Sequence, residues 1–356
     1  MTRRARSITL ALGGALLAIL LVVAFLLPVP YVRLRPGPVF NALGEVGGQP
    51  VITIDGARTY ETSGSLDVTT VYEEGGPGNN LTLIQAFRGW TDPAMAVVPR
   101  EMLYPPELYN QKDAAEQVKQ EGVVQMQSSE ETAVVAALRY VGEPVHVQVV
   151  VDSTMPDAPA DGKLQAGDVL VAVDGQRVHK ATDVRDIVSS VDVGDSVEIV
   201  IERDGQRQTV RLTTAESPDE KGRPIIGVLP TVSYQSPVTV DIKLADVGGP
   251  SAGLMFALSV VDKLTPEQLA GGLNIAGTGT MDPAGKVGPI GGIAQKMAGA
   301  RDDGAEVFLA PASNCSDVAG HIPDGLRVVK VETLDDAIHS VEQLDDPTAS
   351  LPTCNA

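Results

Sequence analysis

The chain has 356 residues, enough for two or three domains; 43% of them are hydrophobic and only 4% aromatic. Its net charge of −19 excludes nucleic acid as a partner, because phosphate binding needs a basic footprint. Two cysteines and four scattered histidines (His146, His179, His321, His339) exclude a metal site of ordinary ligand spacing, so neither metal nor cofactor is expected.

Ile8–Leu27 carries no charge. As a helix it would span roughly 30 Å, the thickness of a hydrocarbon core. Arg3, Arg4 and Arg6 precede it, which keeps the short N-terminus cytoplasmic. The adjoining stretch, "PVPYVRLRPGP", holds no small-x-small cleavage site. Residues 1–30 therefore read as a cytoplasmic stub and a single transmembrane anchor through 8–27. The rest of the chain lies outside the cell membrane. In that compartment Cys315 and Cys354 are free to form one disulfide, pinning the tail at 343–356; two free thiols are the alternative.

Residues 31–143 read as an extracytoplasmic N-terminal segment. "PVITIDG" and "GSLDVTTVYEE" alternate like strands, and "EEGGPGNN" is a turn signal. "SSEETAVVAALRYVG" predicts a helix that Ser128 caps, with Glu131 at the third position and Gly142 as its stop. Trp90, the only tryptophan, reads as a core residue.

Residues 144–215 form a β-rich unit: a strand in "VHVQVVV", a strand Asp168 to Val173 with an Asp174-Gly175 turn, a short helix in "ATDVRDIVSSV", and a hairpin at Asp204-Gly205. "PADGKLQAGDVLVAVDGQRV" resembles a PDZ domain of the bacterial kind. That resemblance implies a groove for an extended peptide between Val145–Val151 and Ala181–Val191. It puts the carboxylate-holding loop near Gly142-Glu143-Pro144, where Glu143 would repel a carboxylate. A structural or autoinhibitory role stands beside substrate binding. "ESPDEKGRP", Glu216–Pro224, reads as a linker.

The remainder, 225–342, alternates helices and strands. Ser251 opens an apolar helix in "DVGGPSAGLMFALSVVDKL", and Thr265-Pro266-Glu267-Gln268 predicts a second. "IAQKMAGARDDG" is a third helix, "EVFLAP" and "LRVVKV" are strands, and "TLDDAIHSVEQL" closes the domain. Ser251 suits a helix N-cap. It suits a nucleophile equally, because a helix N-terminus offers N–H donors to an oxyanion. The backbone N–H groups of Ser251 and Ala252 are the oxyanion-hole candidates. A serine needs a base. No Gly-x-Ser-x-Gly elbow and no well-placed histidine is evident. Lys296 sits among Ile293, Ala294, Met297, Ala298 and Ala300. Burial there would lower its pKa and make it a base, whereas an ordinary lysine points to water.

"GGPSAG", then "GTG", then "GPIGGIAQKMAGARDDGAEVFLAP" resembles the proteolytic domain of Lon proteases over Ile225–Leu334, with Lys296 45 residues after Ser251. The resemblance implies that Ser251 is nucleophile, Lys296 base and Thr278 the group that orients the lysine. It also implies a homo-oligomeric ring. Two positions depart from the family: Gly248 stands where an acid is usual, with Asp246 two further back, and Thr280 replaces a glutamate. "GTGTMDPAGKVG" has the wrong glycine spacing for a phosphate loop, and Val287 stands where Ser or Thr is required, so no nucleotide site is expected.

The layout is similar to the membrane-anchored PDZ–Lon proteins of Gram-positive bacteria. It implies a multidomain α/β and α+β fold: a transmembrane helix, a PDZ-like β-rich domain and a Lon-type α/β domain. The implied function is an ATP-independent serine endopeptidase that cleaves flexible extracytoplasmic protein segments. The alternative is a peptide-binding or scaffold protein with an inactive Lon-like domain.

Overall fold

A computed structural model describes residues 3–244, 247–344, 346 and 348–354. The chain divides into two compact units: residues 1–143 with 238–356, and residues 144–237. It builds half of the first unit, leaves it to build the second, and returns.

The first half holds helix α1 (Arg3–Leu26), strands β1 (Tyr31–Asn41), β2 (Ile52–Asp55) and β3 (Ser65–Glu74), helix α2 (Leu83–Thr91), strand β4 (Ala96–Pro99) and helix α3 (Ala114–Tyr140). The second unit contributes β5 (His146–Thr154), β6 (Val169–Val173), α4 (Ala181–Val188), β7 (Ser196–Arg203), β8 (Gln206–Thr213) and β9 (Val228–Gln235). The return supplies β10 (Thr239–Ile242), α5 (Gly253–Leu264), β11 (Asn274–Gly277), α6 (Ile293–Asp302), β12 (Val307–Pro311), β13 (Arg327–Val331) and α7 (Leu334–Glu342).

The main sheet of the first unit runs β13-β12-β11-β3-β1-β4. β13, β12, β11 and β3 are parallel, with Ile275 opposite Leu66 and Val307; β1 and β4 add antiparallel. Segment 31–143, expected to stand apart from the C-terminal domain, thus supplies three strands of that domain's own sheet. β10 also pairs with β2, Val240 opposite Ile54. The reason is the buried apolar face of β3: Leu66 and Val68 join one core with Leu254, Phe256, Leu258, Ile275 and Leu309. α5 is buried along ten of its residues because its apolar side chains lie on every face.

Several local expectations change. α3 starts at Ala114, not Ser128, since its helix-forming run "AAEQVKQEGVVQMQ" continues through both serines. Gly142 does end it: it takes φ +83°, and the Glu143 N–H returns to the Leu138 carbonyl at 2.9 Å. No helix forms after Thr265; Gly271 and Gly272 take left-handed φ there and turn the chain. Trp90 is 54% exposed, edge-on to Tyr31 at 5.6 Å, because α2 packs through Ala86 and Gly89 instead. The predicted anchor falls in α1. Among the described residues no helix is long and apolar enough to cross a membrane; the part of α1 whose surface is described is Leu10–Leu26.

The second unit is an antiparallel sheet, β8-β7-β6-β5-β9, with α4 packed beside it. The segment expected to be a linker is instead a hairpin inside this unit: Ala215-Glu216 pair with Pro224-Ile225, and Glu216 accepts the Gly222 N–H. β9 then pairs with β5 along its whole length. The unit therefore runs past residue 215 and takes residues expected in the C-terminal domain.

Candidate active site

The elbow Gly248–Ala252 leads into α5, and Gly249 takes φ +89°, which a side chain would resist. Gly253 must stay small: a Cβ there would lie 2.9 Å from the Met281 backbone and 3.0 Å from the Ser129 hydroxyl. The elbow is fastened to the end of β11. The Ser251 carbonyl accepts the Gly279 N–H at 2.9 Å and the Thr278 hydroxyl at 3.0 Å.

α6 brings the lysine. Its entry residue Gly292 is left-handed, and its small face lets it approach β1 closely; a Cβ on Gly299 would touch the Gly37 carbonyl at 3.4 Å. Ile293, Met297 and Ala300 enter the core, and Lys296 enters with them, 2% exposed. Its Nζ lies 2.7 Å from Ser251 Oγ and 2.9 Å from Thr278 Oγ1. Burial pushes the Lys296 amine down to about 7.

Proton positions in this cluster follow from counting donors. Thr278 has one hydroxyl proton, and the Ser251 carbonyl takes it. Thr278 Oγ1 can therefore only accept from Lys296. With one N–H held there, the neutral amine can turn its lone pair to the Ser251 hydroxyl. The geometry permits proton removal from a serine at the mouth of a buried helix, whose first N–H groups lack intrahelical acceptors.

The structure brings together Ser251, Ala252, Thr278 and Lys296. It leaves the histidines out: all four are exposed, His321 bonds to Ala319 and His339 to Gln343. Asp246 lies outside the described residues. Gly248 packs on Gly122 of α3. Cys315 and Cys354 are joined as a disulfide, which closes the tail beside β13, where Lys330 N–H bonds to the Pro352 carbonyl. "DPAGK" is no phosphate cradle: the Asp282 carboxylate already takes the amides of Ala284 and Lys286 at 2.9 and 2.8 Å. Sequence reasoning passed over Gly122 and Ser129, which face the elbow from α3. A signal existed, two small residues seven apart on one helix stripe.

In the second unit the expected groove moves. β9 covers the free edge of β5, so Val145–Val151 cannot take an added strand. A groove of ≈ 370 Å³ instead lies between α4 and the start of β9, lined by Ala181, Val184, Val188, Ile226 and Val228. Ile226-Gly227-Val228 lines this groove, and the expected loop at Gly142-Glu143-Pro144 does not. Gly227 takes φ +71°, and a Cβ there would strike Ala158 at 2.1 Å.

Residues 122–214 match the PDZ domain family, and residues 244–343 match the Lon protease (S16) C-terminal proteolytic domain. A Lon protease of Azospirillum brasilense is 33% identical over 130 residues, 35% of this chain and 16% of that protein. A pro-apoptotic serine protease of Candida glabrata is 35% identical over 68 residues, 19% of this chain and 7% of that protein. The matches thus span under a fifth of these relatives' lengths. The PDZ domain of an SdrC-like protein from Listeria innocua is 34% identical, covers 23% of this chain and 92% of its own, and superposes with a TM-score of 0.22. One region of the chain is thus similar to PDZ domains and another to the C-terminal proteolytic domain of Lon proteases, and the matched relatives are proteases.

Proposed function

We propose that this chain is an ATP-independent serine endopeptidase that uses Ser251 as nucleophile and Lys296 as general base. The observation that carries the reading is a buried lysine amine, without an anionic partner among the described residues, 2.7 Å from the hydroxyl of a serine at a helix entrance. Ser251 Oγ attacks the scissile carbonyl carbon while Lys296 takes its proton. The C–N bond breaks as Lys296 returns that proton to the leaving amine, and water repeats the cycle on the acyl-enzyme. Thr278 holds the amine in register, and the N–H groups of Ser251 and Ala252 receive the oxyanion.

The reading predicts that full-length protein degrades an unfolded substrate without nucleotide, and that Ser251→Ala lowers the rate by more than roughly 10⁴-fold with the fold intact by circular dichroism. Equal cleavage by the two proteins would refute it.

The PDZ groove is the place where an extended segment would add to the edge of β9 beside α4. We place the protein at the outer face of a membrane, attached through α1. The uncharged run Ile8–Leu27 and the exposure of Leu10, Leu16, Ile19 and Phe25 support this. Release of the intact chain from membranes by alkaline carbonate would remove that part of the reading. Assembly into a homo-oligomeric ring is read by mass measurement in detergent.

A further inference from the structure

The elbow is held from two sides, and only one belongs to the dyad. On that side Thr278 and the Gly279 amide hold the Ser251 carbonyl. On the other side lies α3, a helix that precedes the second unit in sequence. There the Gly249 N–H donates to the Gly122 carbonyl at 2.9 Å, and the Ser129 hydroxyl donates to the Pro250 carbonyl at 2.9 Å. Ser129 is 4% exposed. Its hydroxyl fills the space left by Gly253, the first residue of α5. A mid-helix serine normally bonds back to its own helix or points to water; this one reaches across to another segment.

The consequence lies in the peptide group. The Pro250 carbonyl and the Ser251 N–H belong to one planar unit, and no cis peptide bond occurs among the described residues. In a trans peptide these two groups point in opposite directions. Fixing the carbonyl oxygen on Ser129 therefore fixes the direction of the Ser251 N–H. The Thr278 bond does the same for the next peptide unit, whose N–H belongs to Ala252. Each candidate oxyanion donor thus has a separate hydroxyl behind its own peptide group.

We infer that Ser129 is a positioning residue for transition-state stabilisation: it aims the Ser251 N–H at the oxyanion without touching substrate. This deepens the proposed function and rests on it. Ser129 bonds neither Lys296 nor the Ser251 hydroxyl, so its loss acts on the oxyanion and leaves the base alone.

The test uses full-length protein in detergent, a fluorogenic peptide substrate and a peptide boronate. The boronate forms a tetrahedral adduct on Ser251, and its anionic oxygen occupies the oxyanion position. Active sites are titrated first, so that misfolded protein is not counted. Ser129→Ala is expected to lower kcat per active site by about 10–100-fold with little change in KM. Boronate affinity should fall by a similar factor, and the acid limb of the pH–rate profile should stay in place. Ser129→Cys, which keeps a weak donor, should fall between the two. Unchanged kcat per titrated site in Ser129→Ala overturns the inference. So does a shifted acid limb, since the effect would then run through Lys296. If the wild-type chain shows neither Ser251-dependent hydrolysis nor boronate binding, the proposed function fails and the inference fails with it. An active wild type matched by Ser129→Ala removes the inference alone.

Discussion

Lys296 in the first unit and Asp168 in the second are each 2% exposed, yet their surroundings treat charge in opposite ways. Burial would raise the Asp168 carboxyl, but Arg203 grips it with two hydrogen bonds of 2.6 Å and the Gln165 amide adds a third, so its pKa lies below the usual carboxylate value. Among the described residues Lys296 has hydroxyls around it and no anion, so burial acts unopposed. The contrast teaches that depth alone does not mark a reactive group. A buried charge with a fitted partner keeps its charge; one without is pushed toward its neutral form.

The largest effect should come from removing the unpaired amine. Lys296→Met is expected to cut turnover by roughly 10²–10⁴-fold. The same change should stabilise the fold. The unfolded chain holds this lysine protonated up to about 10.5, whereas the folded one releases the proton near 7. Between these values the unfolded state binds more protons, so wild-type stability rises with pH across that window. The advantage of Lys296→Met should therefore be greatest below pH 7 and shrink toward pH 10.5. Urea midpoints at several pH values read this directly, and a gap that widens with pH would break the comparison. Wild-type activity should rise through pH 7 as the amine loses its proton.

Thr278→Val tests how the amine is held. Its hydroxyl accepts from Lys296, which favours the protonated amine. Removing it should slow turnover about 10–100-fold through lost alignment. It should also move the acid limb of the pH–rate profile to lower pH. A limb displaced upward would mean that Thr278 does not accept from the lysine.

How much of this was legible depended on distance along the chain. Asp174-Gly175 and Asp204-Gly205 make their turns with positive φ, and Gly142 caps its helix, because each depends only on neighbours in sequence. The approach of Lys296 to Ser251 was legible through the resemblance of "GGPSAG" and "GPIGGIAQKMAGARDDGAEVFLAP" to the Lon proteolytic domain, since the residues alone left Ser251 open as a cap and Lys296 as a surface lysine. The union of β3 with β11 was not, because Leu66 meets Ile275 across some two hundred residues and nothing local marks a parallel partner. Strand β9 was assigned to the C-terminal domain because its hairpin approach, "ESPDEKGRP", has linker composition. Ser129 was hidden in the same way. Nothing next to it in the sequence marks a partner, which lies 121 residues away.

On the paired side, Asp168→Asn should leave active-site chemistry unchanged and weaken the second unit by about 1–3 kcal/mol, the usual cost of breaking charge-assisted hydrogen bonds. Because the folded pKa is depressed, the carboxylate's contribution is complete above the unfolded value of 3.8 and is lost as pH falls through the folded one. Asp168→Asn should therefore flatten the acid-induced loss of stability below pH 4, followed by amide exchange in β6 and β7. An equally steep acid transition in the variant would assign it to other groups.

The smallest effect tests an intermediate case. Asp262, near the end of α5, is 1% exposed; one oxygen accepts the Leu269 N–H, and the other has no hydrogen-bond partner among the described residues. Burial raises its pKa, opposed by the Leu269 amide and by Lys263. Here the folded state holds the proton more tightly than the unfolded one. Any stability this provides is complete below 3.8 and is lost as pH rises through the folded value. An asparagine has the same shape and carries no charge. Asp262→Asn should therefore change stability by less than about 1 kcal/mol near neutral pH, within the range of ordinary substitutions, and should remove this group's share of the pH dependence. If the variant instead lost several kcal/mol, a partner would hold the Asp262 carboxyl as Arg203 holds that of Asp168. The division between paired and unpaired buried charge would then have only Lys296 on its unpaired side.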